Sequence, residues 1–82
     1  MRNKCLLALG RQIRQMRERK GLSQEEFAAE AGLDRGYYGG TERGERNVAA
    51  ANLIRIAIAL GVEVSQLFPS LATLRRLGGA SQ

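Results

Sequence analysis

The stretch from Gly21 to Asn47 constrains the fold more than any other part of the chain. It is written GLSQEEFAAEAGLDRGYYGGTERGERN. Ser23 and Glu26 form an S-x-x-E capping box, in which each side chain can satisfy a backbone N–H at the start of a helix. Gly32 predicts the end of that helix, and Asp34 is a good N-cap for the next one. Two short helices joined by a glycine-containing turn are therefore predicted in the middle of the chain.

Apolar residues recur at three- and four-residue steps on both sides of this stretch. The predicted helices span about residues 6–20, 24–31, 34 to 42 or 43, 50–60 and 66–68, and a further turn runs from Pro69 to about Leu77. Asn47 is the expected cap of the fourth helix, and Ser65 is that of the fifth. No strand-like alternation is sustained, so we expect an all-α, compact five-helix domain over residues 1–77 and a flexible tail over 78–82.

The charge balance narrows the range of partners. The 82 residues include 13 Lys or Arg and 8 Asp or Glu, which leaves a formal net charge of +5. Such a charge favours a polyanion such as nucleic acid or an anionic membrane face, although many domains carry it for solubility alone. No stretch approaches the roughly 18 apolar residues of a membrane span, so no membrane partner is expected. The apolar run from Cys5 to Leu9 is too short for a secretion signal, and a cytoplasmic protein is expected.

Composition also argues against catalysis and bound cofactors. Cys5 is the only cysteine and the chain has no histidine, so neither an intramolecular disulfide nor a metal site is expected. No nucleophile and base stand out as a pair, and the GYYGG segment lacks the preceding strand and the spacing of a phosphate-binding loop. We therefore expect no cofactor, no metal, no catalytic residue and no enzyme.

The two central helices match a helix-turn-helix, whose second helix can lie in the major groove of DNA. The chain resembles the phage-repressor-like, xenobiotic-response-element type of helix-turn-helix family. The resemblance is carried, within about residues 6–68, by GLSQEE at 21–26, AGL at 31–33, ERG at 42–44, RN at 46–47 and the segment from Leu53 to Val62. The chain looks most like the controller proteins of restriction–modification systems, through LDR at 33–35, Tyr37, Gly40, ER at 42–43 and RN at 46–47. The resemblance implies a repressor-like, DNA-binding fold.

The start of the third helix carries the expected base contacts. Arginine is the side chain best suited to a bidentate contact with guanine in the major groove, and Arg35 directly follows the cap. The resemblance implies base-reading positions at 35, at 36, and around 39 and 40, so the candidates are Arg35, Gly36, Gly39 and Gly40, with Tyr37 as a further one. The alternative for Arg35 is a solvated surface arginine.

The glycine content of the third helix is unusual. Each glycine costs up to about 1 kcal/mol relative to alanine in a helix interior, so one alternative is that this segment is a loop. The favoured interpretation is a helix whose residues 36, 39 and 40 share a face without side chains, which lets the backbone lie close to DNA. DNA shape then carries much of the specificity. Tyr38 is expected to fill the core with its hydroxyl near the surface, and Thr41 is either a small core filler or a further base contact.

Four residues are candidates for contact with the DNA backbone. Gln24 opens the second helix, where free N–H groups attract an anion, and the resemblance implies that it binds a phosphate. Arg43, Arg46 and Asn47 follow the third helix, and in similar proteins this segment contacts the phosphate that flanks the groove. The alternatives are a surface glutamine and a polar loop in which Glu45 balances Arg43 or Arg46.

The resemblance also implies a partly buried ion pair between Arg17 in the first helix and Glu42 at the end of the third. Arg17 lies on the flank of the apolar stripe, beside Ile13 and Met16. We expect the pair to be structural, because removal of one partner leaves a charge without a counterion in the interior.

Large apolar residues outside the predicted core indicate self-association. Ile54 and Ile58 flank the core stripe of the fourth helix, and with Leu71, Leu74 and Leu77 they can form a dimer patch. The alternative is that the C-terminal segment folds back and covers the isoleucines within one chain.

The function predicted from these features is sequence-specific regulation of transcription. A homodimer would bind double-stranded DNA at a pseudo-palindromic operator, with half-sites about one helical turn apart. Such a controller would act on its own promoter and on a neighbouring gene, and an activator would contact RNA polymerase. The alternative is a protein-interaction module of the same fold, such as an antitoxin, in which residues 67–77 bind a partner.

Overall fold

The computed structural model describes residues 3–78, and over these residues the chain is all-α, as predicted. Its elements are α1 (Lys4–Arg19), α2 (Gln24–Ala31), α3 (Arg35–Glu42), α4 (Ala50–Leu60), a 3-10 turn (Val64–Leu67) and α5 (Leu71–Arg76). In this part of the chain, no helix is both long enough and apolar enough to cross a membrane. The tail predicted over residues 78–82 lies outside the described residues from position 79 onward.

The first two helices begin at side-chain caps. The Asn3 side chain accepts hydrogen bonds from the N–H groups of Cys5 and Leu6, so α1 begins two residues earlier than predicted. α2 has the predicted capping box, since the Ser23 hydroxyl accepts from the Glu26 N–H and the Glu26 carboxylate accepts from the Ser23 N–H. Both motifs satisfy N–H groups that have no partner within the helix.

α3 is a helix in spite of its glycines, so the loop alternative is wrong. Its N-terminus is fixed by Asp34, whose side chain accepts from the Tyr37 N–H. Its inner face is fixed by Tyr38, which is fully buried with its ring centroid 5.0 Å from that of Phe27. The packing of this large aromatic ring thus offsets part of the free energy that the glycines cost the helix.

Two expected caps and one expected helix start in the C-terminal half are wrong. α4 begins after Ala49 without a side-chain cap, so Asn47 does not cap it. The next element is a 3-10 turn rather than a helix capped by Ser65, and the Gln66 side chain accepts from the Glu63 N–H at its start. The last helix begins after Ser70 rather than at a proline, and the Ser70 hydroxyl accepts from the Thr73 N–H.

The core is formed by the inner faces of the first four helices together with the 3-10 turn, and α3 packs against α1 and α2. Its fully buried large side chains are Ile13, Phe27, Tyr38, Ile56 and Leu67. At Gly10, α1 meets the end of α3 backbone to backbone, since a Cβ there would lie 2.5 Å from the Glu42 carbonyl oxygen. The absence of a side chain at this crossing lets α1 hold the C-terminal end of α3 in place.

Candidate nucleic-acid interface

A buried ion pair fixes the end of α3 to α1. Arg17 Nε lies 2.6 Å from Glu42 Oε2 and Arg17 Nη2 lies 3.1 Å from Glu42 Oε1. Arg17 Nη1 also donates to the Leu22 carbonyl at 2.8 Å, so the same guanidinium holds the loop that leads into α2. Both side chains are buried, and the bidentate geometry offsets the loss of hydration that burial causes.

Two further hydrogen bonds complete the surroundings of the Glu42 carboxylate. The Tyr38 hydroxyl donates to Oε2, and Gln24 Nε2 donates to Oε1 at 2.8 Å. The prediction that the Tyr38 hydroxyl lies near the surface is therefore wrong, because the residue is fully buried. A tyrosine four residues before a glutamate lies on the same face of a helix, and this spacing was the sequence signal for the contact.

These contacts shift the pKa values of all three ionisable groups. Burial raises the pKa of the Glu42 carboxyl, but hydrogen bonds from Arg17, Tyr38 and Gln24 outweigh it, and the pKa lies below its usual value. Burial and the adjacent carboxylate raise the pKa of the Tyr38 hydroxyl. The hydrogen bond to Glu42 raises the pKa of the Arg17 guanidinium. Glu42 is therefore an anion and Tyr38 a hydrogen-bond donor at neutral pH.

Gln24 links this cluster to the start of α2. The residue is partly buried, and the amide group that the resemblance implies for a phosphate contact donates one N–H to Glu42. An amide nitrogen carries two N–H groups, so the second one remains for another acceptor. The phosphate contact itself stays a prediction.

The outer side of α3 begins with an exposed arginine and an exposed glycine. The Arg35 side chain is 67% exposed, and its Nε lies 3.7 Å from an exposed carboxylate of Glu25. Gly36 is exposed beside it. Thr41 is only 2% exposed and donates its hydroxyl to the Tyr37 carbonyl, so it belongs to the inner side and is not a base contact.

Gly39 and Gly40 are buried, so the prediction of a bare glycine face is wrong. A Cβ at position 39 would lie 3.1 Å from Arg43 Nη1 and 3.4 Å from Gln24 Oε1. A Cβ at position 40 would lie 3.1 Å from Arg46 Nε and 3.2 Å from its Cγ. Long polar side chains from the segment after α3 therefore occupy the space that the two glycines leave. The four-residue spacing of Gly39 and Arg43 was a local sequence signal for one of these contacts, and there was none for the contact of Arg46 with Gly40.

The loop after α3 is folded back onto the helix by side-chain contacts. The Arg46 guanidinium lies 5.5 Å from the centroid of the Tyr37 ring, a cation–π distance. The Tyr37 hydroxyl in turn accepts from the Ala49 N–H at 3.4 Å. Arg43 Nε lies 3.2 Å from Glu45 Oε2. This is one of the two ion pairs that the polar-loop alternative predicted.

Three of the four expected phosphate-contact residues lie against the same two glycines of α3, namely Gln24, Arg43 and Arg46. Asn47 is exposed, three residues before the start of α4. Arg43 and Arg46 lie against Gly39 and Gly40, and Gln24 lies at the start of α2. Together with Arg35 they place several cationic and amide donors at or near α3, and these are the groups that bind DNA phosphates and base edges.

A second exposed surface is apolar. Ile58 is 74% exposed, Ile54 is 49% exposed and Leu71 is 62% exposed. Over residues 3–78, α5 therefore does not cover the α4 isoleucines, and the fold-back alternative is wrong for this part of the chain. Leu74 differs from the other three because it is partly buried and its carbonyl oxygen lies 3.7 Å from Cys5 Sγ on α1.

An apolar groove separates α5 from α1. Its volume is about 400 Å³, and its lining residues are Cys5, Leu6, Leu9, Phe68, Leu71, Leu74 and Arg75. Leu74 faces this groove rather than extending the α4 surface. The predicted dimer patch is thus divided between the α4 isoleucines and the rim of the groove.

Comparison with known proteins agrees with this architecture. The model of the Helix-turn-helix family matches residues 13–67, and the chain belongs to this family. It is a helix-turn-helix DNA-binding regulator, and the relatives of the chain are transcription regulators rather than enzymes.

Several relatives are controller proteins of restriction–modification systems. Control protein C.MunI from Mycoplasma sp is 41% identical over 70 residues, which cover 84% of this chain and 95% of the relative. The crystal structure of the restriction–modification controller protein C.AhdI from Aeromonas hydrophila is 49% identical, with a TM-score of 0.75, and the match covers 77% of this chain and 96% of that one. The biofilm regulator SinR, solved in complex with DNA, is 33% identical with a TM-score of 0.69 over 72% of this chain and 95% of its own.

Proposed function

We propose that this chain is the controller protein of a restriction–modification system, which binds a pseudo-palindromic operator as a homodimer. The observation that carries the proposal is that Arg35 is 67% exposed on the outer side of α3. The inner side of the same helix is fixed by the hydrogen bonds that Glu42 accepts from Arg17, Tyr38 and Gln24. The similarity to C.MunI and C.AhdI over most of the chain supports the choice of a controller among regulators of this fold.

The DNA contacts follow from which groups α3 and its neighbours leave accessible. α3 lies in the major groove, where Arg35 donates to O6 and N7 of a guanine. Gly36 allows the backbone to approach the groove, and Tyr37 contacts a base edge beside it. Gly39 and Gly40 contribute by leaving room for the side chains that cover them. Backbone phosphates are bound by Gln24 and by the loop residues Arg46 and Asn47.

Dimerisation uses apolar side chains of α4 and α5 that lie outside the core. Ile54 and Ile58 are exposed on α4, and Leu71 and Leu74 contribute from α5. Burial of such side chains between two copies stabilises a small domain and places two α3 helices about one DNA turn apart. The dimer then binds the two halves of the operator at once, which raises affinity over that of one copy.

Regulation follows from occupancy of that operator. The dimer acts in the cytoplasm on its own promoter and on that of a neighbouring gene, and as an activator it contacts RNA polymerase. We assign no residue to the polymerase contact.

A second candidate is an antitoxin-like interaction module, which the open apolar groove between α1 and α5 favours. Leu71 and Phe68 on its rim are exposed, and a partner segment of complementary shape could bury them. This function needs no DNA, so a stable complex with a neighbouring gene product on a column without DNA would support it over the controller function.

The proposal is tested by selecting the tightest site from a pool of random-sequence duplexes and measuring its dissociation constant by fluorescence anisotropy. We expect a strong preference for the selected duplex over a scrambled one, and a dissociation constant that rises with salt with a log–log slope of about 0.9 per phosphate contact. Arg35→Ala should weaken the preference strongly, whereas Arg19→Ala, the same change of charge at an exposed residue of α1, should leave it unchanged. Equal binding of wild-type protein to all duplexes would contradict the proposal.

A further inference from the structure

Arg35, Gly39 and Arg43 lie at four-residue steps and therefore share one strip of the α3 surface. Gly39 is buried although it lies between two exposed arginines, because the Arg43 side chain covers it. Side chains on a helix point back towards its N-terminus, so an arginine at position 43 extends over the residue one turn earlier. The Arg43 guanidinium consequently lies over the middle of the helix that enters the groove.

We propose that Arg43 reads a guanine in the major groove, in the place of the side chain that Gly39 lacks. This inference rests on the proposed function, since it assumes that α3 lies in the groove. It replaces the expectation that Arg43 contacts a phosphate. A guanidinium over the middle of the helix faces base edges, whereas one extended from the loop would face the DNA backbone.

Glu45 orients the Arg43 side chain for this contact. Its carboxylate lies 3.2 Å from Arg43 Nε, and the two terminal nitrogens remain for another partner. These two nitrogens form the fork that can donate to O6 and N7 of one guanine. Because the ion pair holds the fork in position before DNA arrives, less side-chain entropy is lost on binding.

The position of the Arg43 guanidinium over α3 requires a glycine at position 39. A Cβ at position 39 would lie 3.1 Å from Arg43 Nη1, which is closer than side chains normally approach, so the guanidinium would have to move. The atom displaced is the end of a flexible side chain, so the helix itself can accept the substitution. Gly39→Ala should therefore raise the melting temperature, since alanine favours a helix, while it weakens discrimination between DNA sequences.

Arg43→Lys is the decisive variant because it keeps the charge and loses the fork. A phosphate accepts lysine as well as arginine, whereas a bidentate contact with guanine does not. We expect Arg43→Lys to bind scrambled DNA as the wild-type protein does, with the same salt slope. We expect it to lose about tenfold or more of its affinity for the selected duplex.

The contacted base is identified by replacing each guanine of the selected duplex in turn with 7-deazaguanine, which lacks the N7 acceptor. We expect the replacement to weaken binding of the wild-type protein at two classes of guanine. At the first class, the replacement should no longer affect binding of Arg35→Ala. At the second class, it should no longer affect binding of Arg43→Lys or of Gly39→Ala. The Gly39→Ala, Arg43→Lys double variant should discriminate between the selected and the scrambled duplex as well as Arg43→Lys alone does.

Two outcomes separate this inference from the proposed function. If wild-type protein prefers the selected duplex but Arg43→Lys keeps that preference at every guanine, Arg43 does not read a base and the inference is wrong, while the regulator function stands. If wild-type protein shows no preference for any duplex, the proposed function fails and the inference fails with it.

Discussion

The guanidinium of Arg17 forms a bidentate, buried ion pair with the carboxylate of Glu42, and thereby joins the last turn of α1 to the last residue of α3. The pair thus holds the C-terminal end of the helix that we place in the DNA groove. Its geometry therefore affects two properties at once, the free energy of unfolding and the position of the outer arginines relative to each other.

Removal of the Arg17 guanidinium should destabilise the domain strongly. Arg17→Met leaves the Glu42 carboxylate buried without its counterion, and we expect a loss of about 3–5 kcal/mol in the free energy of unfolding, measured with chemical denaturant. The control is Arg14→Met, which removes an exposed ion pair with Glu18 and should change stability by less than about 1 kcal/mol. Equal effects of the two substitutions would mean that the buried pair has no special structural role.

Stability should fall in acid because the Glu42 carboxylate is bound as an anion in the folded state. Its pKa is lowered from the ordinary value of 4.5, so its contribution is complete above that value and is lost as the pH falls through the lower, folded pKa. We expect the free energy of unfolding of wild-type protein to decrease steeply below about pH 4.5. In Glu42→Gln the decrease should be shallower.

The Glu26 carboxyl titrates in the same range and provides the comparison. The Ser23 backbone N–H and hydroxyl lower its pKa, but this carboxyl lies on the surface. Glu26→Gln should therefore retain most of the acid dependence. A Glu42→Gln profile parallel to that of wild-type protein would contradict the assignment of the buried carboxylate as the main acid-sensitive group.

The two adjacent tyrosines should respond differently to the loss of a hydroxyl. Tyr38→Phe removes a buried donor from a carboxylate, and we expect a loss of about 1.5–3 kcal/mol in denaturant unfolding. Tyr37→Phe removes only a 3.4 Å contact with the Ala49 N–H at the surface, and its effect should be within about 0.5 kcal/mol. The reverse order would show that the Tyr38 hydroxyl is not essential to the cluster.

The oligomeric state should depend on the exposed isoleucines of α4. Ile58→Glu places a charge on the proposed dimer surface, and we expect its sedimentation to be that of a monomer at concentrations where wild-type protein is a dimer. Gln15→Glu adds the same charge to an exposed position of α1 and should leave the dimer intact. A wild-type mass that corresponds to one copy at all concentrations would remove the dimer from the proposal.

The parts of the fold that depend on local sequence could be predicted. α2 and α4 begin and end at the predicted residues, and Asp34 caps α3 as its side-chain chemistry indicates. The caps at Asn3 and Ser70 were missed although each is a local signal, because neighbouring residues suggested other starts.

The contacts made across the fold could not be predicted in the same way. The cover that Arg46 gives to Gly40 depends on how the loop turns back after α3, and no spacing in the sequence encodes that turn. Arg43 differs, because it lies one helical turn after the glycine that it covers. The burial of the Tyr38 hydroxyl likewise depends on the approach of α1, which brings Arg17 to the same carboxylate. The ion pair was expected from family resemblance, not from the residues alone.

Protection of guanine N7 from methylation shows whether α3 lies in the major groove with Arg35 on a guanine. The measurement uses the selected duplex with wild-type protein, Arg35→Ala and Arg19→Ala. The account predicts protected guanines in two half-sites about one helical turn apart, with one guanine of each half-site exposed again in Arg35→Ala only. Unprotected guanines throughout a duplex that the wild-type protein saturates would contradict it.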